Sequence, residues 1–85
     1  MRLKDKVIVI TGSTRGIGRS IALACASEGA SVVISSHSAE AVQRTVDEMK
    51  AQGYAASGIT CDTTVPGALG ELLRFAISTF GKVDV

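Results

Sequence analysis

The sequence predicts an α/β protein in which strands alternate with helices and pair in parallel. Three observations lead there. Val7-Ile8-Val9-Ile10 is an unbroken β-branched run, the pattern of a strand covered on both faces. Two further strand-like segments follow it, each separated from the last by a stretch with apolar residues at helical spacing. Gly29, Gly53 and Gly81 stand where those helical stretches should end. Alternation of this kind implies right-handed crossovers and therefore a parallel sheet.

The elements follow in order. After the first strand, Ile17, Ile21, Ala24 and Cys25 fall on one helical face, which predicts a helix from about Gly16 with that face inward. Ser31-Val32-Val33-Ile34-Ser35 reads as the second strand. Ser38 can cap the next helix, Glu40 suits its positive end, and Val42, Val46 and Met49 share a face. A weaker third strand lies between Tyr54 and Cys61, with two alanines and Gly58 in it. Pro66 fits the first turn of a third helix, whose stripe is Leu69, Leu72, Leu73, Ala76, Ile77 and Phe80. Val65 is a poor cap for it, and Gly67 and Gly70 weaken its start. Val83-Asp84-Val85 reads as the opening of a fourth strand, so the order β-α-β-α-β-α-β breaks off within an element and the second half of such a fold lies outside the sequence.

The 85 residues suffice for one small domain. With 46% hydrophobic and 20% charged residues the chain is expected to fold, and a net charge of +1 gives no reason to expect nucleic acid or an acidic membrane as partner. No run of about 18 apolar residues and no apolar leader is present, so a soluble, cytoplasmic protein is the default expectation, without excluding an organelle. Cys25 and Cys61 form no ligand or redox motif and read as small apolar fillers; no metal site is expected. Glu40 with Arg44, and Asp47 with Lys50, read as solvated pairs on the outer face of the second helix.

The segment with most chemical content is TGSTRGIG, residues 11–18, between the first strand and the first helix. Unpaired N–H groups and the positive end of the helix dipole point into that turn. Gly12 permits the tight turn, Gly16 lets backbone approach an anion, and Gly18 lets the helix pack closely on the strand. The arrangement predicts a nucleotide pyrophosphate. A P-loop needs G-K-[ST], whereas Gly18 is followed by Arg19-Ser20, which disfavours hydrolysis of ATP or GTP. The fingerprint G-x-G-x-x-G is absent too; the spacing here is G-x-x-x-G-x-G.

Thr11-Gly12-Ser13-Thr14-Arg15-Gly16-Ile17-Gly18 resembles the cofactor-binding signature of the short-chain dehydrogenase/reductase family. The likeness extends over essentially the whole chain. Cys61-Asp62-Thr63 stands where the family has an aspartate that meets the adenine, and F-G-K-V-D-V, residues 80–85, is similar to the run before the family's N-N-A-G turn. The resemblance implies a partial Rossmann-like parallel sheet of strand order 3-2-1-4 and an oxidoreductase that transfers hydride between a nicotinamide dinucleotide and a carbonyl or alcohol substrate. Cofactor contacts are then expected from Gly12, Ser13, Thr14, Arg15, Gly16, Ile17, Gly18, Ser36, His37, Asp62 and Thr63.

An NAD site usually offers a carboxylate at the end of the second strand, about 20 residues past the glycines, for the ribose 2′-hydroxyl. Here that place holds Ser35-Ser36-His37. Ser36 can donate to a 2′-phosphate, Arg15 is placed to pair with it, and the resemblance implies that role for a basic residue at that position, so NADP(H) is expected ahead of NAD(H). His37 stands where members often carry arginine, which makes the second positive contact pH-dependent.

The family's catalytic residues are not found. The sole tyrosine, Tyr54, is followed four residues later by Gly58 instead of lysine, and the chain has no asparagine. Two readings stay open: the cofactor-binding N-terminal part of an NADP-dependent enzyme, which as a full-length form is compatible with homo-oligomers, or a non-catalytic module that binds NADP(H) or pairs with a relative. A module for another nucleotide is a third.

Overall fold

The structure is a computed structural model that describes residues 3–12, 16–62 and 64–84. The element order is β1 (Val7–Ile10), α1 (Gly16–Ser27), β2 (Ser31–Ser36), α2 (Ala39–Ala51), β3 (Ala56–Thr60) and α3 (Ala68–Phe80). All strands run parallel in one open sheet of order β1-β2-β3. Val7 pairs with Ser31 and Ile10 with Ile34; Val32 pairs with Ala56 and Ser36 with Thr60. The carboxyl ends of the three strands therefore share one edge, which is where open α/β sheets bind ligands.

The expected fourth strand is not assigned among the described residues, and Val85 lies outside them. Its forerunner is nonetheless fastened to β1. The Asp84 N–H donates to the Val7 carbonyl at 2.8 Å, and an Asp84 carboxylate oxygen accepts from the Val7 N–H at 2.8 Å. Lys82 Nζ lies 3.1 Å from that same oxygen.

Both faces of the sheet are covered. On one, α1 and α2 enclose Ile8, Ala22, Ala26, Ala30, Val32, Ile34, Val42, Val46, Met49 and Ala56. On the other, α3 places Leu72 and Ala76 against Val33 and Cys61, flanked by Val9, Ile59, Phe75 and Phe80. This double cover explains the unbroken apolar runs of β1 and β2.

Two of the helices bury faces other than the expected ones. In α1 the buried residues are Ala22 and Ala26, whereas Ile17 is 80% and Ile21 47% exposed. Alanines one turn apart let the helix axis approach the sheet closely, and an isoleucine at the same contact would hold it off. Leu23 and Cys25 fill the flanks. In α3 the expected stripe divides: Leu72 and Ala76 are buried, and Leu69, Leu73 and Ile77 are about half exposed. Pro66 also lies outside the helix. Gly67, at φ 83°, is the N-cap, and a left-handed residue there prevents the helix from reaching back to the proline.

In α2 the expectation holds. The Ser38 side chain accepts from the Ala41 N–H at 3.3 Å, Glu40 stands in the first turn, and Val42, Val46 and Met49 are buried. The expected surface pairs do not form: Asp47 accepts from Gln43 at 2.8 Å, and Glu48 pairs with Arg19 of α1, tying the two helices together. Gly58, which weakens β3 by propensity, is required by packing. A Cβ there would lie 2.6 Å from Val42 Cγ1 and 2.8 Å from Val46 Cγ2.

Candidate nucleotide-binding site

The site is assembled from the ends of β1, β2 and β3 and the start of α1. Gly12 and Gly16 bracket the turn with φ 60° and 62°, values that side chains other than glycine seldom adopt. Among the described residues, a Cβ at either position would meet nothing within 4 Å. Gly16 is the first residue of α1, and that helix has no acidic residue in its first turn, unlike α2 with Glu40 and α3 with Glu71. Its positive end is therefore not offset by a carboxylate of its own. Arg19 is paired with Glu48 of α2. These features fit a pyrophosphate at the N-terminus of α1. Gly18 is half-buried and stands one turn before Ala22 on the closely packed side of the helix. Ile17 is 80% exposed. Ser13, Thr14 and Arg15, expected in the same turn, lie outside the described residues, as does Thr63.

A residue not anticipated from sequence sets the edge of this turn. Ser35 is 1% exposed, and its hydroxyl donates to the Ile10 carbonyl at 3.0 Å, tying the last residue of β1 to β2 immediately before Thr11 and Gly12. The signal was present: a serine that directly continues the run Val32-Val33-Ile34, in a strand covered on both faces, is buried and must find a partner.

At the end of β2, Ser36 is nearly buried, and its hydroxyl accepts from the Ser38 N–H at 3.3 Å, which leaves the hydroxyl proton to donate elsewhere. His37 is exposed. At the end of β3, Asp62 caps its own loop: Oδ1 accepts from the Thr64 N–H at 2.9 Å and from the Thr64 hydroxyl at 2.6 Å. Those two bonds, the hydroxyl's first, hold the carboxyl below the ordinary aspartate range, with a smaller contribution from the charge of His37. The Cys61 N–H donates to the Ser36 carbonyl at 2.8 Å, so the residues that follow, His37 and Asp62, stand at neighbouring strand ends. Among the described residues no cluster of three or more His, Cys, Asp or Glu side chains has the arrangement of a metal site. No described helix is long and apolar enough to cross a membrane.

The family model of the short chain dehydrogenases matches residues 6–85. The chain belongs to the short chain dehydrogenase family. It is 45% identical over its full 85 residues to the 7alpha-hydroxysteroid dehydrogenase of Escherichia coli (strain K12), of which it covers 33%. It is 42% identical over 84 residues to the cyclohexanol dehydrogenase of an Acinetobacter species, covering 99% of this chain and 34% of that one. A solved 7alpha-hydroxysteroid dehydrogenase complexed with NADH and 7-oxo glycochenodeoxycholic acid superposes with a TM-score of 0.93 at 46% identity, over 98% of this chain and 32% of that one. The chain thus spans about a third of the length of these relatives. The sheet and helices described above are the Rossmann-like part of that family's fold, and the family's cofactor is a nicotinamide dinucleotide.

Proposed function

We propose that these residues are the nucleotide-binding first half of a single Rossmann-like domain in an NADP(H)-dependent oxidoreductase that interconverts a carbonyl and an alcohol by hydride transfer. The observation that carries the cofactor reading is the end of β2. Ser36 and the exposed His37 stand there, and no carboxylate occupies that strand end to reject a 2′-phosphate. In this reading the turn from Gly12 to Gly18, including Ser13 and Thr14, holds the pyrophosphate. Arg15, Ser36 and His37 hold the 2′-phosphate, and Asp62 and Thr63 border the adenine. When bound, the dinucleotide supplies or accepts the hydride. The residues of this chain bind and orient it; neither an asparagine nor a Tyr-x-x-x-Lys pattern for proton transfer is among these 85 residues.

A second reading, NAD(H), is favoured by one observation: the 46%-identical relative was solved with NADH. Calorimetric titration of the protein with NADPH and with NADH separates them. The proposal expects tighter binding of NADPH. It also expects Arg15→Ala to weaken NADPH binding by about 1–3 kcal/mol, the scale of a charge-assisted contact, with NADH binding nearly unchanged. Equal losses for the two cofactors would remove the 2′-phosphate assignment.

A further inference from the structure

We propose that Ser35 is a positioning residue for the dinucleotide: its buried hydroxyl, by holding the Ile10 carbonyl, presets the backbone that turns through Thr11 and Gly12 toward the pyrophosphate. This rests on the pyrophosphate part of the reading above and is independent of which of the two cofactors binds.

Ser35 is 1% exposed and cannot itself touch a ligand. By the alternation of the strand it shares a face of β2 with Val33, the face covered by α3, whereas Ser36 belongs to the opposite one. The core does not call for a hydroxyl at this position. An apolar β-branched residue would continue Val32, Val33 and Ile34 and suit a strand better, and a buried hydroxyl gives up its water. What offsets that loss is the bond donated to the Ile10 carbonyl at 3.0 Å, which solvent does not compete for at such depth.

The place of that bond gives it a function. The register of β1 on β2 ends at Ile10 and Ile34, whereas β2 continues along β3 to the pair Ser36 and Thr60. β1 therefore leaves the sheet at the residue whose carbonyl Ser35 holds. The Ile10 carbonyl and the Thr11 N–H belong to one planar peptide unit, so fixing the carbonyl fixes the direction in which the chain departs. Thr11 and Gly12 are exposed, and Gly12 follows at φ 60°. The far end of the turn is held by other means: Gly16 opens α1, whose Ala22 and Ala26 lie against the sheet. With both ends fixed before a ligand arrives, less ordering remains to be done on binding. Ser35 acts on the turn and on nothing peculiar to a 2′-phosphate, so losing its hydroxyl weakens NADPH and NADH by the same factor.

The test is calorimetric titration with NADPH and with NADH of the parent protein, Ser35→Ala and Ala76→Gly. Ala76→Gly is the control for stability. Ala76 is buried in the second half of α3, which runs back from the carboxyl edge of the sheet toward Val7 at the other edge. Glycine in a helix interior lowers stability about as much as losing one hydrogen bond, and urea denaturation checks that both variants are folded and comparably destabilised. Ser35→Ala should weaken both cofactors by the same factor, about three- to ten-fold, and should move the amide resonances of Thr11 and Gly12 in the ligand-free protein. Ala76→Gly should bind both cofactors as the parent does and leave those resonances in place. Parent-like affinities in Ser35→Ala, a loss confined to NADPH, or an equal loss in Ala76→Gly would each overturn the positioning role while leaving the pyrophosphate reading intact. A parent protein that binds neither cofactor would overturn the reading and the role with it.

Discussion

Gly58→Ala adds a single methyl group to the place where α2 lies on β3. The new Cβ would stand 2.6 Å from Val42 Cγ1, 2.8 Å from Val46 Cγ2 and 3.1 Å from the Ile34 carbonyl oxygen. Carbon atoms rest at about 3.5–4.0 Å, so both valine methyls must retreat by about 1 Å. Neither can do so by rotation alone, because a β-branched side chain in a helix is held to essentially one χ1 well. The Ile34 oxygen belongs to the central strand and cannot move independently. Relief therefore requires α2 to lift from the sheet, which loosens Val42, Val46 and Met49, all buried. Overpacking of this kind costs about 1–3 kcal/mol, and replacing glycine inside a strand returns about 0.5–1 kcal/mol, leaving a net loss of about 0–2.5 kcal/mol. Urea denaturation reads it as a lowered midpoint at unchanged slope. The double variant Val42→Ala/Gly58→Ala should lose less than the sum of its single changes, with a coupling of about 0.5 kcal/mol or more. A Gly58→Ala protein more stable than the parent, or strictly additive losses, would refute the steric account.

Three further outcomes are expected. Ser38→Ala removes the side-chain acceptor for the Ala41 N–H and should cost about 1 kcal/mol in the same denaturation assay, with Ser38→Gly costing less; no change would mean the cap is not made in solution. Leu72, 2% exposed between α3 and the sheet, should cost about 2–5 kcal/mol when changed to alanine, whereas Leu73→Ala, at a half-exposed position one residue on, should cost clearly less; equal losses would contradict the observed rotation of α3. Asp84 is held below the ordinary aspartate range first by the Val7 N–H and then by Lys82. A lowered folded-state pKa contributes stability above the unfolded value of about 4 and loses it as pH falls through the folded value. Urea midpoints should therefore decline less steeply into acid for Asp84→Asn than for the parent, and parallel curves would show that the contact does not bind the ionised form preferentially.

β1 and β2 were legible because each is a short β-branched run closed by polar or glycine residues, whereas β3, with Ser57 and Gly58 inside it, was legible chiefly from the alternation of strands and helices. The start of α2 was legible from Ser38 and Glu40, since capping is local chemistry. The face of α1 was not. Hydrophobic spacing pointed to Ile17 and Ile21, but close approach to a sheet selects small residues, and Ala22 and Ala26 carry little weight in a hydrophobicity pattern. The start of α3 was misplaced at Pro66 because the left-handed turn at Gly67 is a backbone choice that proline's preference for a first helical turn conceals. Charge pairing was also misread: i, i+4 spacing cannot anticipate that Glu48 reaches across to Arg19 on another helix. Of the site, Gly12 and Gly16 declared themselves by spacing and occupy the positive-φ positions the turn requires. Asp62 was singled out by its likeness to the family's aspartate after the third strand, but its use of Thr64 depended on a loop geometry that residue types alone do not specify.

The most direct test of the account is residue-resolved. Amide resonances of the protein would be followed by nuclear magnetic resonance during titration with NADPH. The account expects the largest shifts at Gly12, Gly16, Ile17 and Gly18, where the pyrophosphate meets the start of α1, with a second group at Ser36, His37 and Asp62. Saturable binding that leaves Gly12 and the first turn of α1 unshifted, while moving resonances on the outer face of α2, would contradict it.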